Sequence, residues 1–234
     1  MRPQVQRLQV AGPVGPIELA LEIPELAPST PPAGLALIGH PHPLYGGALE
    51  NKVTVTLARA FLALGWVAAR PNFRGVGASA GVHDHGDGET ADFLHLVEAV
   101  PRLPACAGLF DAPAGPPPLA LAGFSFGSFV AARAAQALAA RGRAVQALVL
   151  VGTAAGKWPM PPVDPGALII HGEVDDTIPL AHVLDWARPL GLPVIVLPGA
   201  DHFFHRRLTD LKRIVLQNLL GAAQLANGPE RGDD

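Results

Sequence analysis

The sequence predicts an α/β fold, in which a mostly parallel sheet carries helices on both faces. From residue 34 onward, short and unbroken apolar runs alternate with stretches that have helical spacing. Apolar runs without polar alternation are typical of strands that are covered on both faces. The chain has 234 residues, is 49% hydrophobic and contains no interior segment suited to a domain boundary. We therefore expect a single domain over residues 1–221 and a flexible C-terminal tail over residues 222–234.

The predicted elements begin with two strands joined by a Gly/Pro turn, which should form an antiparallel edge of the sheet. These strands cover residues 5–10 and 17–23. The further predicted strands are 34–39, 66–69, 116–122, 145–151, 167–170 and 193–197. The predicted helices are 49–64, 89–100, 128–141, 180–187 and 203–220.

Charge and composition exclude several classes of partner. The net charge is −3 and the basic residues are scattered, which gives no electrostatic reason to expect nucleic acid or an anionic membrane. The N-terminus has no apolar segment of a signal peptide, and no apolar stretch approaches the ~18–20 residues of a membrane helix. A cytoplasmic location is expected.

Cys106 is the only cysteine, so an intramolecular disulfide is excluded, and we interpret it as a small apolar residue.

Two signals for cofactors are weak. The Gly75-Val76-Gly77 run imitates a dinucleotide fingerprint, but loop sequence follows it where a helix should begin. The closely spaced histidines at 40/42 and 83/85 lack a metalloprotease-type pattern, and His40 is better interpreted as a structural hydrogen-bonding group. We therefore expect neither a cofactor nor a metal.

The strongest motif is Gly-Phe-Ser-Phe-Gly at residues 123–127. An apolar run precedes it and an alanine-rich run without proline or internal glycine follows it, which predicts a strand, a sharp turn and a helix. A serine on such a turn is exposed next to the free N–H groups of the helix. Ser125 is thus the candidate nucleophile, although packing alone could account for the pentapeptide.

A serine nucleophile needs a base and an acid that orients the base. Functional groups of a parallel sheet gather at the carboxyl ends of its strands. Asp175 and His202 each follow an apolar strand by a few residues and occur in the order serine, aspartate, histidine. Alternatives remain open: Asp176 or Glu173 as the acid, and His205 as the base, although His205 is expected in the first turn of the last helix.

An oxyanion hole needs two N–H donors. One should come from Phe126, which follows the nucleophile. The other should come from the loop after the strand at 34–39, where two prolines cannot donate. This leaves the N–H of His42 first, with Leu44 and Tyr45 behind it.

Four sequence blocks resemble those of a known family. They are HPHPLYGG at 40–47, NKV at 51–53, NFRGVGAS at 72–79 and GFSFG at 123–127. The chain resembles, over about residues 15–220, the small bacterial α/β-hydrolases of the dienelactone-hydrolase-like group, and most closely a predicted-hydrolase or carboxylesterase family. The resemblance implies an α/β-hydrolase fold in which Ser125, Asp175 and His202 form the catalytic triad.

The connection at residues 152–166 is too short for a helical cap domain, so an open site is expected. Five residues are expected to form its apolar lining: Leu44, Tyr45, Phe124, Phe126 and Trp158. The sequence therefore predicts a serine hydrolase that cleaves small-molecule carboxylic esters with small or medium acyl chains. A thioesterase, lactonase or peptidase would use the same residues. A non-catalytic binding or scaffolding protein and a metal-dependent hydrolase are further alternatives, and a homodimer is left open.

Overall fold

An eight-stranded sheet forms the centre of the protein in this computed structural model, which describes residues 5–27, 29–110 and 115–226. The strands are β1 (Val5–Gly12), β2 (Gly15–Glu22), β3 (Leu35–Gly39), β4 (Val67–Pro71), β5 (Leu119–Phe124), β6 (Ala147–Val151), β7 (Leu168–Gly172) and β8 (Val194–Leu197). The helices are α1 (Lys52–Ala63), α2 (Asp87–Ala99), α3 (Phe126–Ala139), α4 (Leu180–Ala187) and α5 (Leu208–Ala226).

The strand order is β1-β2-β4-β3-β5-β6-β7-β8. β1 pairs antiparallel with β2, and β2 pairs antiparallel with β4. All the other pairs are parallel. The prediction of a mostly parallel sheet with an antiparallel N-terminal edge is therefore confirmed. The parallel arrangement brings the carboxyl ends of β3 and β5 to β8 to one edge of the sheet.

Helices cover both faces of the sheet, as predicted. In β3, Leu35 and Leu37 belong to one apolar core, whereas Ala36 and Ile38 belong to the other. The first core includes residues of α2, α3 and α4, and the second includes residues of α1 and α5. Because both faces are buried, β3 is apolar at every position. None of the helices in the described ranges has the length and hydropathy needed to cross a membrane.

The last helix differs from its prediction, which was 203–220. It begins at Leu208 and ends at Ala226. Phe204 and Arg206 have φ values of 53° and 61°, which a right-handed helix does not accommodate. His205 therefore lies in the turns before the helix and not in its first turn. Residues 222–226 of the predicted tail are helical, and 227–234 lie outside the described residues.

The segment between α2 and β5 contains two short 3-10 turns, at Val100–Arg102 and Pro104–Cys106. Residues 111–114 lie outside the described part. Cys106 is buried in the first core, and burial raises the pKa of its thiol to about 11. The thiol therefore stays protonated and acts as the small apolar residue that was predicted.

The connection from β6 to β7 determines how open the strand ends are. It is described at every residue and contains no helix. Its backbone turns back at a bridge between Ala155 and Trp158, which places the indole against the rings of Phe126 and Phe129. The prediction that no cap domain is present is confirmed.

Candidate active site

Ser125 lies on the turn between β5 and α3, with φ 54° and ψ −122°. The glycines of the motif make this turn possible. A Cβ on Gly123 would collide with the carbonyl oxygen of Gly127, and a Cβ on Gly127 would collide with that of Gly39. β3, β5 and α3 therefore approach too closely for any side chain at these two positions. This explains the spacing of glycine on both sides of the serine.

A second serine supports the turn. The buried Oγ of Ser128 donates to the carbonyl oxygen of Ser125 at 2.6 Å and accepts from the N–H of Ala154 at 3.1 Å. It thereby connects the turn to the β6–β7 connection. The sequence reasoning missed this role, because nothing in the motif distinguishes Ser128 from an ordinary helical serine.

The loop between β8 and α5 brings His202 to Ser125. Nε2 of His202 lies 3.1 Å from Oγ of Ser125, and Nδ1 lies 2.7 Å from Oδ2 of Asp175. A carboxylate accepts, so these partners assign the proton to Nδ1 and leave Nε2 as an acceptor for the serine hydroxyl. The ring is buried and packs on Phe124, with 4.9 Å between the ring centroids.

Asp175 is held by the turn that follows β7. Its Oδ1 accepts from the N–H groups of Thr177 at 3.0 Å and Ile178 at 2.7 Å, while Oδ2 faces His202. Asp176 points elsewhere: it is exposed and accepts from the hydroxyl of Thr177 at 3.3 Å. The structure thus brings Asp175, and not its neighbour, to the histidine.

The other two alternatives also lie apart from Ser125. The carboxylate of Glu173 is exposed and accepts from the N–H of Gly199 at 2.8 Å. His205 has a side chain that is 71% exposed, and its Nδ1 lies 2.6 Å from Oδ2 of Asp201. Glu173 thereby joins the segment after β7 to the loop after β8, whereas the pair of His205 and Asp201 lies within the loop after β8.

Phe126 and His42, the two residues first considered as donors for the oxyanion hole, line the same cavity as Ser125. Phe126 is the first residue of α3, so its N–H has no acceptor within the helix. In the other loop, the N–H of Leu44 donates to Nδ1 of His42 at 3.2 Å. The N–H of Tyr45 donates to the carbonyl oxygen of His42 at 3.1 Å. Both alternatives to His42 are therefore occupied as donors. The rings of His42 and Phe126 are 5.1 Å apart.

His40 has a structural role, as predicted. Its ring is fully buried, with Nδ1 donating to the carbonyl oxygen of Pro41 at 2.6 Å and Nε2 accepting from the N–H of Phe73 at 2.9 Å. Burial lowers the pKa of His40 to about 4. Burial, followed by the nearby His83, also lowers the pKa of His42.

A cavity of about 260 Å³ opens at Ser125. It is lined by His42, Tyr45, Ser125, Phe126, Ala154, Lys157, Trp158, Thr177 and Ile178. Of the five predicted apolar lining residues, Tyr45, Phe126 and Trp158 line it. Leu44 and Phe124 do not: Leu44 is exposed outside the cavity, and Phe124 is fully buried against His202. Lys157 also lines the cavity, and the prediction, which concerned apolar side chains, did not include it.

The described residues contain no group of three or more His, Cys, Asp or Glu side chains that could hold a metal ion. Of the four histidines considered as ligands, His83 lies with its Nδ1 2.8 Å from a carboxylate oxygen of the buried Glu89. The same Glu89 accepts from the N–H groups of Asp84 and Gly86. This pair therefore holds the loop before α2.

The serine, histidine and aspartate meet at the carboxyl edge of a parallel sheet, and the serine lies on a strand-to-helix turn. This arrangement defines the class of α/β hydrolases. Comparison with known proteins agrees with this class. A family model described as a thioesterase domain matches residues 70–160.

Solved structures extend the likeness to nearly the whole chain. An α/β serine hydrolase without lid from Xanthomonas campestris is 35% identical, with a TM-score of 0.78, over 94% of this chain and 96% of that one. An α/β serine hydrolase homologue from Coxiella burnetii is 33% identical, with a TM-score of 0.73, over 92% and 97%. The dienelactone hydrolase of Anabaena variabilis shares the fold at 18% identity and a TM-score of 0.69, over 94% and 99%. The chain belongs to the α/β-hydrolase family.

Proposed function

We propose that the protein is a serine hydrolase that cleaves carboxylic esters with small or medium acyl chains. One observation carries the proposal: Nε2 of the buried His202 lies 3.1 Å from Oγ of Ser125, while its Nδ1 lies 2.7 Å from Asp175. A serine hydroxyl is a weak nucleophile until a base takes its proton, and these distances allow that transfer.

In the proposed reaction, Oγ of Ser125 attacks the ester carbonyl as Nε2 of His202 takes its proton. The N–H groups of Phe126 and His42 bind the oxyanion that forms. Asp175 holds the imidazole in the correct tautomer and stabilises the imidazolium. His202 then protonates the leaving alcohol, which departs and leaves an acyl group on Ser125. Water, activated by the same histidine, attacks the acyl-enzyme and restores the serine.

The substrate size follows from the cavity. A volume of about 260 Å³ is below the usual range of ~300–1,000 Å³ for pockets that enclose drug-sized ligands, so it suits a short acyl group. Trp158 and Tyr45 provide apolar surface, and the absence of a cap leaves the leaving group free to extend into solvent.

Thioesters are the second candidate class of substrate, because the matched family model is described as a thioesterase domain. That match covers Ser125 but ends before Asp175 and His202, so it does not bear on the whole triad. An acyl-enzyme can form from either an ester or a thioester, since the attacked carbonyl is the same.

The test is labelling with a fluorophosphonate probe, followed by hydrolysis of p-nitrophenyl esters from C2 to C12 and of matched acyl thioesters. We expect labelling of the wild type and of His205→Ala, and none of Ser125→Ala or His202→Ala. We expect the highest kcat/KM at short and medium chains. Folded wild type that is neither labelled nor active would favour a non-catalytic binding protein, and activity restricted to chains longer than about C10 would contradict the proposed pocket.

A further inference from the structure

A second buried histidine lies beneath the proposed triad acid. His171 is in β7, is fully buried, and has Nε2 2.9 Å from the carbonyl oxygen of Ile178 and 3.3 Å from Oδ2 of Asp175. Both oxygens are acceptors, so Nε2 must carry the proton. The N–H donates to Ile178, and the positive edge of the ring faces the carboxylate.

His171 completes a set of contacts that fixes the acid. The N–H of Ile178 donates to Oδ1 of Asp175 at 2.7 Å, and the carbonyl of the same residue accepts from His171. Oδ2 of Asp175 is then left between His171 and Nδ1 of His202. Ile178 also lines the cavity at Ser125, so one peptide segment connects the acid to the pocket wall.

The titratable groups that act on His171 are Asp175 and His202. Burial is the main cause that lowers the pKa of His171, and His202 lowers it further, against the Ile178 carbonyl and Asp175, which raise it. The ring is therefore a neutral donor. His171 orients the carboxylate of Asp175 and leaves its negative charge intact. That charge stabilises His202 when His202 becomes protonated.

We infer that His171 is a positioning residue of the hydrolytic site, which holds Asp175 and Ile178 in the arrangement that serves His202. This inference rests on the proposed function. The mechanism described above does not need His171 to touch substrate. Its Nδ1 is buried without a hydrogen-bond partner in the described part of the protein, so there the polar contacts of the ring are those of Nε2.

The experiment compares kcat, KM and the pH profile of kcat/KM for wild type, His171→Leu, His171→Gln and Ile169→Ala, using the best p-nitrophenyl ester. His171→Leu removes the N–H, while His171→Gln keeps an N–H donor. Ile169 is buried on the same face of β7, so Ile169→Ala is a matched control for destabilisation without loss of the contact.

We expect His171→Leu to lower kcat by about 10–100-fold with little change in KM, because the acid moves relative to His202. The acid limb of its kcat/KM profile should shift to higher pH. Without the N–H edge, the carboxylate attracts the proton on His202 more strongly. His171→Gln should recover most of kcat, and Ile169→Ala should keep the wild-type profile.

Two outcomes would count against the inference in different ways. Wild type without ester or thioester hydrolysis would overturn the proposed function and this inference with it. If the wild type is active, two results would overturn the positioning role alone. In the first, His171→Leu keeps the wild-type kcat and acid limb. In the second, Ile169→Ala shifts the acid limb as far as His171→Leu does. Circular dichroism and thermal unfolding establish that each variant is folded.

Discussion

The loop between β8 and α5 carries two histidines, and each lies at nearly the same distance from an aspartate but in different surroundings. His202 lies 2.7 Å from Asp175, and His205 lies 2.6 Å from Asp201. The first pair is buried and joins residues from two loops, whereas the second is exposed and local. The distance within a pair therefore does not distinguish them. What differs is that Nε2 of His202 meets a serine on a strained turn.

The largest expected effect separates the two histidines. His202→Ala should lower kcat/KM for a short p-nitrophenyl ester by about 10⁴–10⁶-fold, because the serine loses its base. His205→Ala should stay within about twofold of wild type, since an exposed pair away from Ser125 takes no part in the reaction. Steady-state kinetics on the two variants checks this. Equal losses in both would remove the distinction between the pairs.

The acids should differ in the same way. Asp175→Asn should lower kcat by about 10⁴-fold, because the amide no longer fixes the tautomer of His202 that accepts a proton at Nε2. Asp201→Asn serves as the exposed control and should have little effect. Asp176→Asn tests the neighbour that the sequence left open. If Asp176→Asn lost as much as Asp175→Asn, the assignment of the acid would be wrong.

A smaller effect concerns the donor in the loop after β3. His42 has φ −54°, which suits proline, so His42→Pro removes the N–H with little change of backbone. We expect it to lower kcat by about 10²–10³-fold, the usual effect of losing one oxyanion donor. His42→Ala keeps the N–H and should retain most of the activity. A large loss in His42→Ala would instead assign the effect to the imidazole.

The smallest effect concerns the free energy of unfolding and comes from His40, a histidine that burial keeps neutral, unlike the exposed His205. The folded protein keeps His40 neutral down to pH of about 4, whereas the unfolded chain binds its proton below about 6.5. Stability should therefore fall as the pH falls through this range. Between pH 7 and 5, His40 contributes about 2 kcal/mol of this loss. Urea unfolding of the wild type and of His40→Gln at pH 7 and pH 5 measures this loss of unfolding free energy. If the variant lost as much stability between the two pH values as the wild type, the prediction would be contradicted.

Much of the fold could be predicted because its signals are local. The apolar runs from residue 34 onward predict β3 to β8, since a strand buried on both faces needs apolar residues throughout. The first two strands are predicted instead from the Gly/Pro turn between them. Helix α4 was predicted with its observed bounds, Leu180–Ala187. The start of α5 could not be predicted, because the positive φ values of Phe204 and Arg206 depend on packing around the site and leave no local signal.

Some features of the site could likewise be predicted from the sequence, and others could not. The order of Ser125, Asp175 and His202 could be read from the sequence, because each follows a strand whose end lies at the same edge. The choice between Asp175 and Asp176 depends on a turn whose N–H groups capture one carboxylate, which adjacent residues cannot reveal. The pocket wall formed by Thr177 and Ile178 depends on that same turn.

The φ and ψ of Ser125 also affect folding. At 54° and −122°, a residue with a Cβ is held in a region that glycine favours, at a cost of about 1–3 kcal/mol. The reactive serine thus makes the native state less stable than the same chain would be without it. Ser125→Gly should unfold at a higher denaturant concentration than Ser125→Ala, although both are inactive. Part of the folding free energy is thus lost in order to present one hydroxyl group to the cavity.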